Sequence, residues 1–385
     1  MTTPRRFGLD REWGERAAAW LRRLAGPGAR PSSEELDALR DALLRHDEAA
    51  AALVRDVPAR ELHRDLAAGP SPGAPPAVRA FFEAAGKRPG WVDDRLLARG
   101  ARACREYGLD AGLVLAYGSL LGGYRTAAAL EPLVRTGRLA GGETLRRVQE
   151  TTLWWRAVTA PGGLDPDGDG FRMTLHVRVM HALVNERLAA DPSWDGDLRG
   201  TPVNQYDQAS TLGVFSTSFL LHLRLLGVRV TRADGHAVMH LWSYVGWLLG
   251  VDERWLPFTE KRGRRLLYHF LAYDPPPDGN SVALARALIA MTDQEVDGHL
   301  RRRFERERAL SVSSWLLGRG AMRDLGLPYR PPWYGLSRVA VNLVVSQGLG
   351  RLPGGRRMLL ARGERHARRR FARWGIKDQY QSMSI

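Results

Sequence analysis

The spacing of apolar residues constrains the fold of this chain more than any other feature. Along almost the whole sequence, apolar residues recur three or four positions apart, which is the period of an amphipathic α-helix. Ser32 and Glu35 form a capping-box pattern in front of one such segment. No run alternates apolar and polar residues over a convincing length, so the sequence predicts an all-α fold with a single large helical core. Among the predicted helices are those at 172–190, 235–250 and 293–318.

Composition divides this helical pattern into three parts. The stretch 69–76 (GPSPGAPP) is rich in proline and glycine and is typical of a linker or loop. We therefore expect a small helical N-terminal extension with its linker over residues 1–76. The main domain should follow over 77–350, and a basic C-terminal helix and tail over 351–385.

The chain is strongly basic, with a formal net charge of +15, but the charge is spread along it. Almost all of the basic residues are arginines, and they occur in nearly every segment. The dense basic run lies in the tail, at 351–373. We therefore expect no nucleic-acid partner. The tail is typical of a solvated helix face, and the alternative is peripheral contact with an anionic membrane.

Several features bear on where the protein resides. The longest charge-free apolar run, 235–251, is shorter than the stretch of about 20 residues that spans a bilayer, so a buried core helix is expected. Cys104 is the only cysteine, which excludes intrachain disulfides and fits a reducing compartment. An export signal requires an apolar stretch after its basic residues, and none follows Arg5 and Arg6. The sequence thus predicts a cytoplasmic protein, and we expect a monomer.

Histidines are the strongest candidates for metal chemistry, and the chain has 10 of them. His236 and His240 have the i, i+4 spacing of a metal pair, but no third ligand is evident, so hydrogen-bonded core histidines are favoured. His176 and His181 are five positions apart and cannot share one ion. One histidine alone is sufficient for haem, because the macrocycle supplies four nitrogens to the iron. By its helical surroundings alone, however, His181 is better interpreted as a core residue.

The surroundings of His181 resemble a known family. Residues 177–182 (VRVMHA) are similar to the V-R-x-x-H-A motif of the latex-clearing protein (rubber oxygenase) family, which belongs to a wider group of all-helical haem oxygenases of the mycophenolic-acid-biosynthesis type. The resemblance covers roughly residues 85–300. Further matching positions, in the same order, are Glu131, 136–139, Arg147, Thr151, the block 201–216 (P-x-N-Q-x-D…T…F-S) and 240–251.

This resemblance implies a globin-like helical core around one b-type haem (iron protoporphyrin IX), with His181 as the proximal iron ligand. It implies a distal side that contains Glu131, Arg147 and Thr151. Arg178 matches an arginine one turn before the ligand, where it would orient the ligand or bind a haem propionate. The implied activity is a haem-dependent oxygenase that uses dioxygen on an apolar small molecule or polymer, by oxidative cleavage of a C=C bond.

The residues themselves agree with a distal face and also reveal a departure. Arg147, Glu150 and Thr151 are at i, i+3 and i+4 and so point from one side of a helix. A guanidinium and a hydroxyl there could stabilise negative charge on oxygen, whereas the alternative is a surface ion pair between Arg147 and Glu150. The family implies a lysine at the position of Glu150, where it can occupy the sixth iron site. Glu150 cannot act as a neutral amine ligand, so it would either leave that site open to water or coordinate ferric iron weakly as a carboxylate.

The departure at Glu150 keeps two other functions open. A haem in this chain could support hydroxylation, peroxidase-like oxidation or gas sensing instead of C=C cleavage. A non-catalytic basic helical protein that docks on membranes through the 351–373 run is the alternative from a different class.

Overall fold

The computed structural model describes residues 3–135 and 143–376. Every regular element in these two ranges is a helix, and neither range contains a strand. The all-α prediction is therefore confirmed. No helix in the described part of the chain is both long and apolar enough to cross a bilayer.

Five helices form the N-terminal region: α1 (Arg11–Ala17), α2 (Ala19–Ala25), α3 (Ser33–Ala42), α4 (Glu48–Asp56) and α5 (Ala59–Ala68). The capping box in front of α3 is present. The Ser32 hydroxyl accepts a hydrogen bond from the backbone N–H of Glu35, and the Glu35 carboxylate accepts one from the backbone N–H of Ser32. Both bonds satisfy N–H groups that the first helical turn leaves without a partner.

The remaining helices follow after a loop at 69–75. They are α6 (Pro76–Gly86), α7 (Asp94–Glu106), α8 (Gly108–Val114), α9 (Leu121–Gly123), α10 (Glu131–Arg135), α11 (Glu143–Val158), α12 (Asp169–Ala189), α13 (Gly196–Arg199), α14 (Gln205–Gly213), α15 (Phe219–Leu225), α16 (Arg232–Leu248), α17 (Glu260–Tyr273), α18 (Gly279–Ala290), α19 (His299–Asp324), α20 (Trp333–Asn342) and α21 (Gly355–Arg373). Three π-helical segments continue these helices, at Leu115–Leu120, Val214–Ser218 and Leu343–Gly348. Short 3₁₀ turns lie at Ala127–Leu130, Glu253–Trp255, Met291–Asp293 and Leu349–Arg351.

Most of helix α16 is buried, and its aromatic residues Trp242 and Tyr244 are fully covered. It packs closely against α7, since a Cβ at Gly100 would come within 2.4 Å of the carbonyl oxygen of Ala237. The apolar run 235–251 therefore is a core helix, as predicted. Residues on both sides of position 76 contribute to one buried cluster, among them Leu62 and Leu241. The division of the chain at 76 and 350 stays a prediction.

The basic helix α21 lies against α7 and α8 rather than projecting from the molecule. Gly363 makes this approach possible, because a Cβ there would lie 2.2 Å from the carbonyl oxygen of Arg105. Glu364 accepts a hydrogen bond from Arg156 at 2.6 Å, which ties α21 to α11. Arg356 of α21 in turn pairs with Glu106 of α7 at 2.9 Å, so part of the positive charge of the tail is neutralised inside the structure.

Candidate active site

A cavity of about 870 Å³ lies within the helical core. This volume is in the range of about 300–1,000 Å³ that is usual for pockets enclosing organic ligands. The π-helical segments Leu115–Leu120 and Val214–Ser218 lie side by side and both contribute to its wall. Because π-helical turns are rare and occur frequently at functional sites, their pairing marks this cavity as the candidate site.

Helix α12 turns one face towards the cavity. Residues at i, i+3, i+4 and i+7 line the wall: Val177, Met180, His181 and Val184. Three of these four side chains are apolar, so the imidazole of His181 lies in apolar surroundings on the cavity wall.

The imidazole of His181 is suited to bind a ligand. Its Nδ1 atom is buried, and within the described ranges it has no hydrogen-bond partner. Burial lowers the pKa of His181 because the imidazolium would lose its hydration, while the neighbouring Gln208 and Asp47 act in the opposite direction. The imidazole is therefore neutral at pH 7, which is the form that coordinates a metal ion.

Helix α11 brings Arg147, Glu150 and Thr151 to the wall of the same cavity, as their spacing predicts. The Glu150 carboxylate accepts a hydrogen bond from Nε of Arg146 at 3.0 Å, so its ion pair is with Arg146. In the alternative that the sequence leaves open, the partner would be Arg147. In the structure, Glu150 forms this ion pair and is also one of the residues that line the cavity.

Tyr124 is a cavity residue that the sequence did not single out, and it lies near Arg147. Burial raises the pKa of Tyr124 to about 12, and the positive charge of Arg147 acts against this increase. The phenol is therefore neutral at pH 7 and can donate a hydrogen bond into the cavity.

Glu131 lies outside the group of residues that line the cavity in the described part of the chain, although its neighbours Leu130 and Pro132 belong to that group. The Glu131 carboxylate is buried and accepts a hydrogen bond from Nε of Arg135 at 2.8 Å. A guanidinium nitrogen of Arg199 lies 3.4 Å from the same oxygen. The carboxylate is thus held between two arginines behind the wall.

Arg178 also points away from the cavity. Its guanidinium donates to both carboxylate oxygens of Asp47 in the loop before α4, with an Nη2–Oδ1 distance of 2.9 Å. The guanidinium carbon lies 5.0 Å from the centre of the Phe81 ring. These contacts hold α12 against the N-terminal helices, so Arg178 orients the helix that carries His181.

The block 201–216 builds the start of α14 through hydrogen bonds. The side chain of Asn204 caps the helix by accepting from the backbone N–H of Asp207, and its amide donates to the Asp207 carboxylate at 2.8 Å. Gln205 donates to the carbonyl of Gly250 and accepts from the backbone N–H of Asp252, each at 2.9 Å. The motif positions α14 against α16, and Gln208 and Thr211 of α14 then line the cavity.

His222 is a further cavity residue that sequence reasoning missed. Its Nδ1 lies 3.2 Å from the Ser218 hydroxyl, which lies 3.1 Å from the Ser119 hydroxyl of the other π-helical segment. Burial lowers the pKa of His222 to about 4, so this imidazole is neutral. The spacing could have revealed it, since Thr211, Phe215, Ser218 and His222 continue one helical face.

Aromatic rings close one side of the cavity. The Phe215 ring stacks on Trp242 with a centroid distance of 5.1 Å, and Trp154 meets Phe215 edge to face at 5.3 Å. Nε1 of Trp154 donates to the Thr174 hydroxyl at 3.0 Å, so its polar atom does not disturb the apolar wall. The cavity thus suits an apolar ligand.

The structure offers no cluster of protein ligands for a bare metal ion in residues 3–135 and 143–376. His240 uses its Nε2 to accept a hydrogen bond from the backbone N–H of Asp93 at 3.0 Å, as expected for a hydrogen-bonded core histidine. A haem would need only one protein ligand, because its macrocycle supplies the other four nitrogens.

Fold and cavity define the chain as an all-helical protein that encloses a large, mainly apolar chamber. The family model described as "ER-bound oxygenase mpaB/B'/Rubber oxygenase, catalytic domain" matches residues 105–346, and the chain belongs to this family. The family resemblance predicted from the sequence motifs is confirmed. The segment 136–139, which is one of those motifs, lies outside the described residues.

One relative by sequence and one solved structure are similar to this chain. The chain is 28% identical over 290 residues to the rubber oxygenase of Streptomyces sp. (strain K30). The aligned region covers 73% of this chain and 68% of that protein. A solved structure of latex clearing protein in the closed state matches with a TM-score of 0.66 and 22% identity. This match covers 85% of this chain and 91% of that one, and it bears on the fold.

Proposed function

We propose that this member of an oxygenase family depends on haem b and uses dioxygen to cleave a C=C bond of an apolar substrate, a small molecule or a polymer. The observation that carries this proposal is the position of His181. Its neutral imidazole lies on the wall of the cavity, at the motif position of the proximal ligand, with a buried nitrogen that lacks a partner among the described residues. The name of the Streptomyces relative supports a polymer or alkene as the substrate.

The residues of the cavity fit a haem. His181 would bind its iron, and Val177, Met180 and Val184 would contact the macrocycle from the same helix face. The cavity of about 870 Å³ has room for an organic group of this kind. When bound, the haem would supply the redox-active iron that reacts with dioxygen, a chemistry that protein side chains lack.

Other residues of the wall would act on the reacting oxygen and on protons. Arg147 and Thr151 would donate hydrogen bonds to negative charge that develops on oxygen. The carboxylate of Glu150 would accept a proton on the same wall. Glu131 would act as a positioning residue, because its ion pairs with Arg135 and Arg199 hold the wall segment that includes Leu130.

Glu150 favours a second candidate function. A carboxylate on the cavity wall, at a position where the family resemblance implies lysine, is compatible with hydroxylation or peroxidase-like oxidation. Family membership supports an oxygenase over the non-catalytic alternative. A cytoplasmic location and a monomeric state are further predictions for this protein.

The absorbance spectrum of the purified protein tests the haem proposal. Protein from haem-replete cells should show a Soret band that His181→Ala removes and that His222→Ala, the matched variant on the same wall, retains. If His222→Ala loses the band and His181→Ala retains it, His222 and not His181 is the iron ligand. A wild-type protein without Soret absorbance would end the proposal.

Turnover with labelled dioxygen then distinguishes the two chemistries. C=C cleavage by a dioxygenase places both labelled atoms in the two carbonyl products. Hydroxylation places one labelled atom in the product, and peroxidase-like oxidation requires peroxide. Mass spectrometry of the products gives the answer directly.

A further inference from the structure

The segment from α20 through the third π-helical turn exposes an unusual apolar surface. Trp333, Leu336, Val341, Leu343 and Val344 are all exposed, and Val344 and Leu343 retain 72% and 57% of their accessible surface. We call these five residues the exposed apolar face. Several exposed apolar side chains on one short segment are typical of a surface that contacts a membrane or another protein.

No charged side chain interrupts this face. Arg338 is the one charged residue between positions 333 and 348, and it is buried. Its guanidinium donates to both carboxylate oxygens of Asp110, each at 2.9 Å. The segment therefore buries its charge and turns apolar side chains outwards, which is the reverse of an ordinary surface helix.

A basic cavity adjoins the same segment. It has a volume of about 510 Å³, and its wall includes Asn342, Val345 and Ser346. Its wall has six arginines, of which Arg338 and Arg356 form ion pairs with acidic residues of the same wall. The other four are Arg229, Arg362, Arg365 and Arg369. In the part of the chain that the structure describes, none of these four side chains forms an ion pair. We call this the arginine pocket.

The exposed apolar face and the arginine pocket together indicate which kind of partner binds this surface. Apolar side chains enter the acyl region of a bilayer, while arginines beside them attract anionic headgroups. A second copy of the chain fits less well, because a two-fold contact through this face would bring both sets of arginines close together.

We propose that the exposed apolar face and the arginine pocket form a docking surface for an anionic lipid bilayer. The helix segment 333–348 lies in the plane of the membrane surface, and Arg362, Arg365 and Arg369 of α21 contact the lipid phosphates. The arginine pocket shares the wall residues Gly108, Gly363 and His366 with the cavity that carries His181. The exposed apolar face does not line that cavity, and the proposal depends on no particular reaction there.

Vesicle co-sedimentation of the full chain tests the proposal. The wild-type protein should bind vesicles of phosphatidylcholine with phosphatidylglycerol and should bind vesicles of phosphatidylcholine alone much less. The double variant L343E/V344E should bind the anionic vesicles at least about tenfold more weakly, because two apolar side chains no longer leave water. R365Q/R369Q should weaken binding about tenfold or more and reduce its dependence on salt.

Matched variants elsewhere on the surface control for general effects. Leu24→Glu changes an exposed leucine of α2, and R23Q/R30Q removes two positive charges from the N-terminal region. Both should bind like the wild-type protein, and circular dichroism should show that all variants are folded. The altered residues are exposed, so they leave the core intact.

Three outcomes would overturn the proposal. One is equal binding of the wild-type protein to neutral and anionic vesicles, or no binding to either. Another is unchanged binding of L343E/V344E. The third is a wild-type dimer in light scattering that becomes a monomer in L343E/V344E without any vesicle binding, which would assign the face to self-association.

Discussion

His181 and His222 lie on the wall of one cavity, and burial lowers the pKa of both imidazoles, that of His222 to about 4. Each has one buried nitrogen without a partner in the described ranges: Nδ1 of His181 and Nε2 of His222. An unsatisfied buried polar atom costs free energy unless a ligand completes it. Geometry therefore makes both residues candidates, and the VRVMHA motif selects His181.

Asp274 provides a prediction about pH dependence at the same scale. Burial raises its pKa from 3.8 to about 8, opposed by the positive charge of Arg6 and reinforced by Asp207. The folded protein therefore keeps this proton between pH 4 and 8, a range in which the unfolded chain releases it. The contribution of Asp274 to the free energy of unfolding thus falls as the pH rises through this range.

The variant Asp274→Asn removes the titration. Its stability relative to the wild-type protein should increase from pH 5 to pH 8 and level off above that, as measured by urea unfolding at each pH. Asp167→Asn, at an exposed position, should show no such trend. A pH-independent difference for Asp274→Asn would show that the carboxyl is ionised in the folded protein.

At the scale of elements, the apolar pattern predicts where a helix lies, and the capping residues determine where it begins and ends. The sequence predicts a helix at 235–250, whereas α16 begins at Arg232 because the Thr231 side chain accepts a hydrogen bond from the backbone N–H of Asp234. The helix predicted at 293–318 is observed as α19, which begins only at His299 and continues to Asp324 past a break at Gly318 with a φ of 77°. Apolar periodicity locates a helix, but caps and glycines decide its ends.

The docking of α21 gives a prediction for an element. Gly363→Val places side-chain atoms where the carbonyl oxygen of Arg105 lies 2.2 Å from an ideal Cβ, so α21 must move away from α7. We expect a loss of about 1–3 kcal/mol in the free energy of unfolding. Ala361→Val, at an exposed position of the same helix, should cost much less. Equal losses in the two variants would show that helix propensity, not packing, causes the effect.

On the scale of the whole molecule, the N-terminal segment is joined to the core by a buried ion pair. Nη2 of Arg6 donates to Oδ2 of Asp207 at 2.7 Å, and the two side chains are 4% and 11% exposed. Asp207 belongs to the block that starts α14, whose residues line the cavity. Residues near the start of the chain therefore support the wall of the candidate active site.

Two adjacent arginines allow a matched test of this link. Arg6→Gln leaves the buried carboxylate of Asp207 without its cation and should lower the free energy of unfolding by about 3–5 kcal/mol. Arg5→Gln removes an exposed pair with Asp195 and should change it by less than about 1 kcal/mol. Chemical denaturation measures both. If the two variants behave alike, the N-terminal segment is an appendage, as a separate extension over 1–76 would be.

The sequence by itself determined the helical class, the helix that carries His181 and the shared face of Arg147, Glu150 and Thr151. These features depend on residues close together in the chain, and helical periodicity relates such residues directly. The core position of the 235–251 run follows in the same way, from its length and lack of charge.

Tertiary structure alone decided the partners of Glu131 and Arg178, the presence of His222 in the cavity and the outward turn of the apolar segment 333–348. Each depends on which distant residues meet, as when Asp47 pairs with Arg178 or Asp110 draws Arg338 inwards. Local sequence patterns carry no information on such pairs. Which residues pair depends on the path of the chain and on which charged side chains become buried, and both are determined only when the whole core assembles.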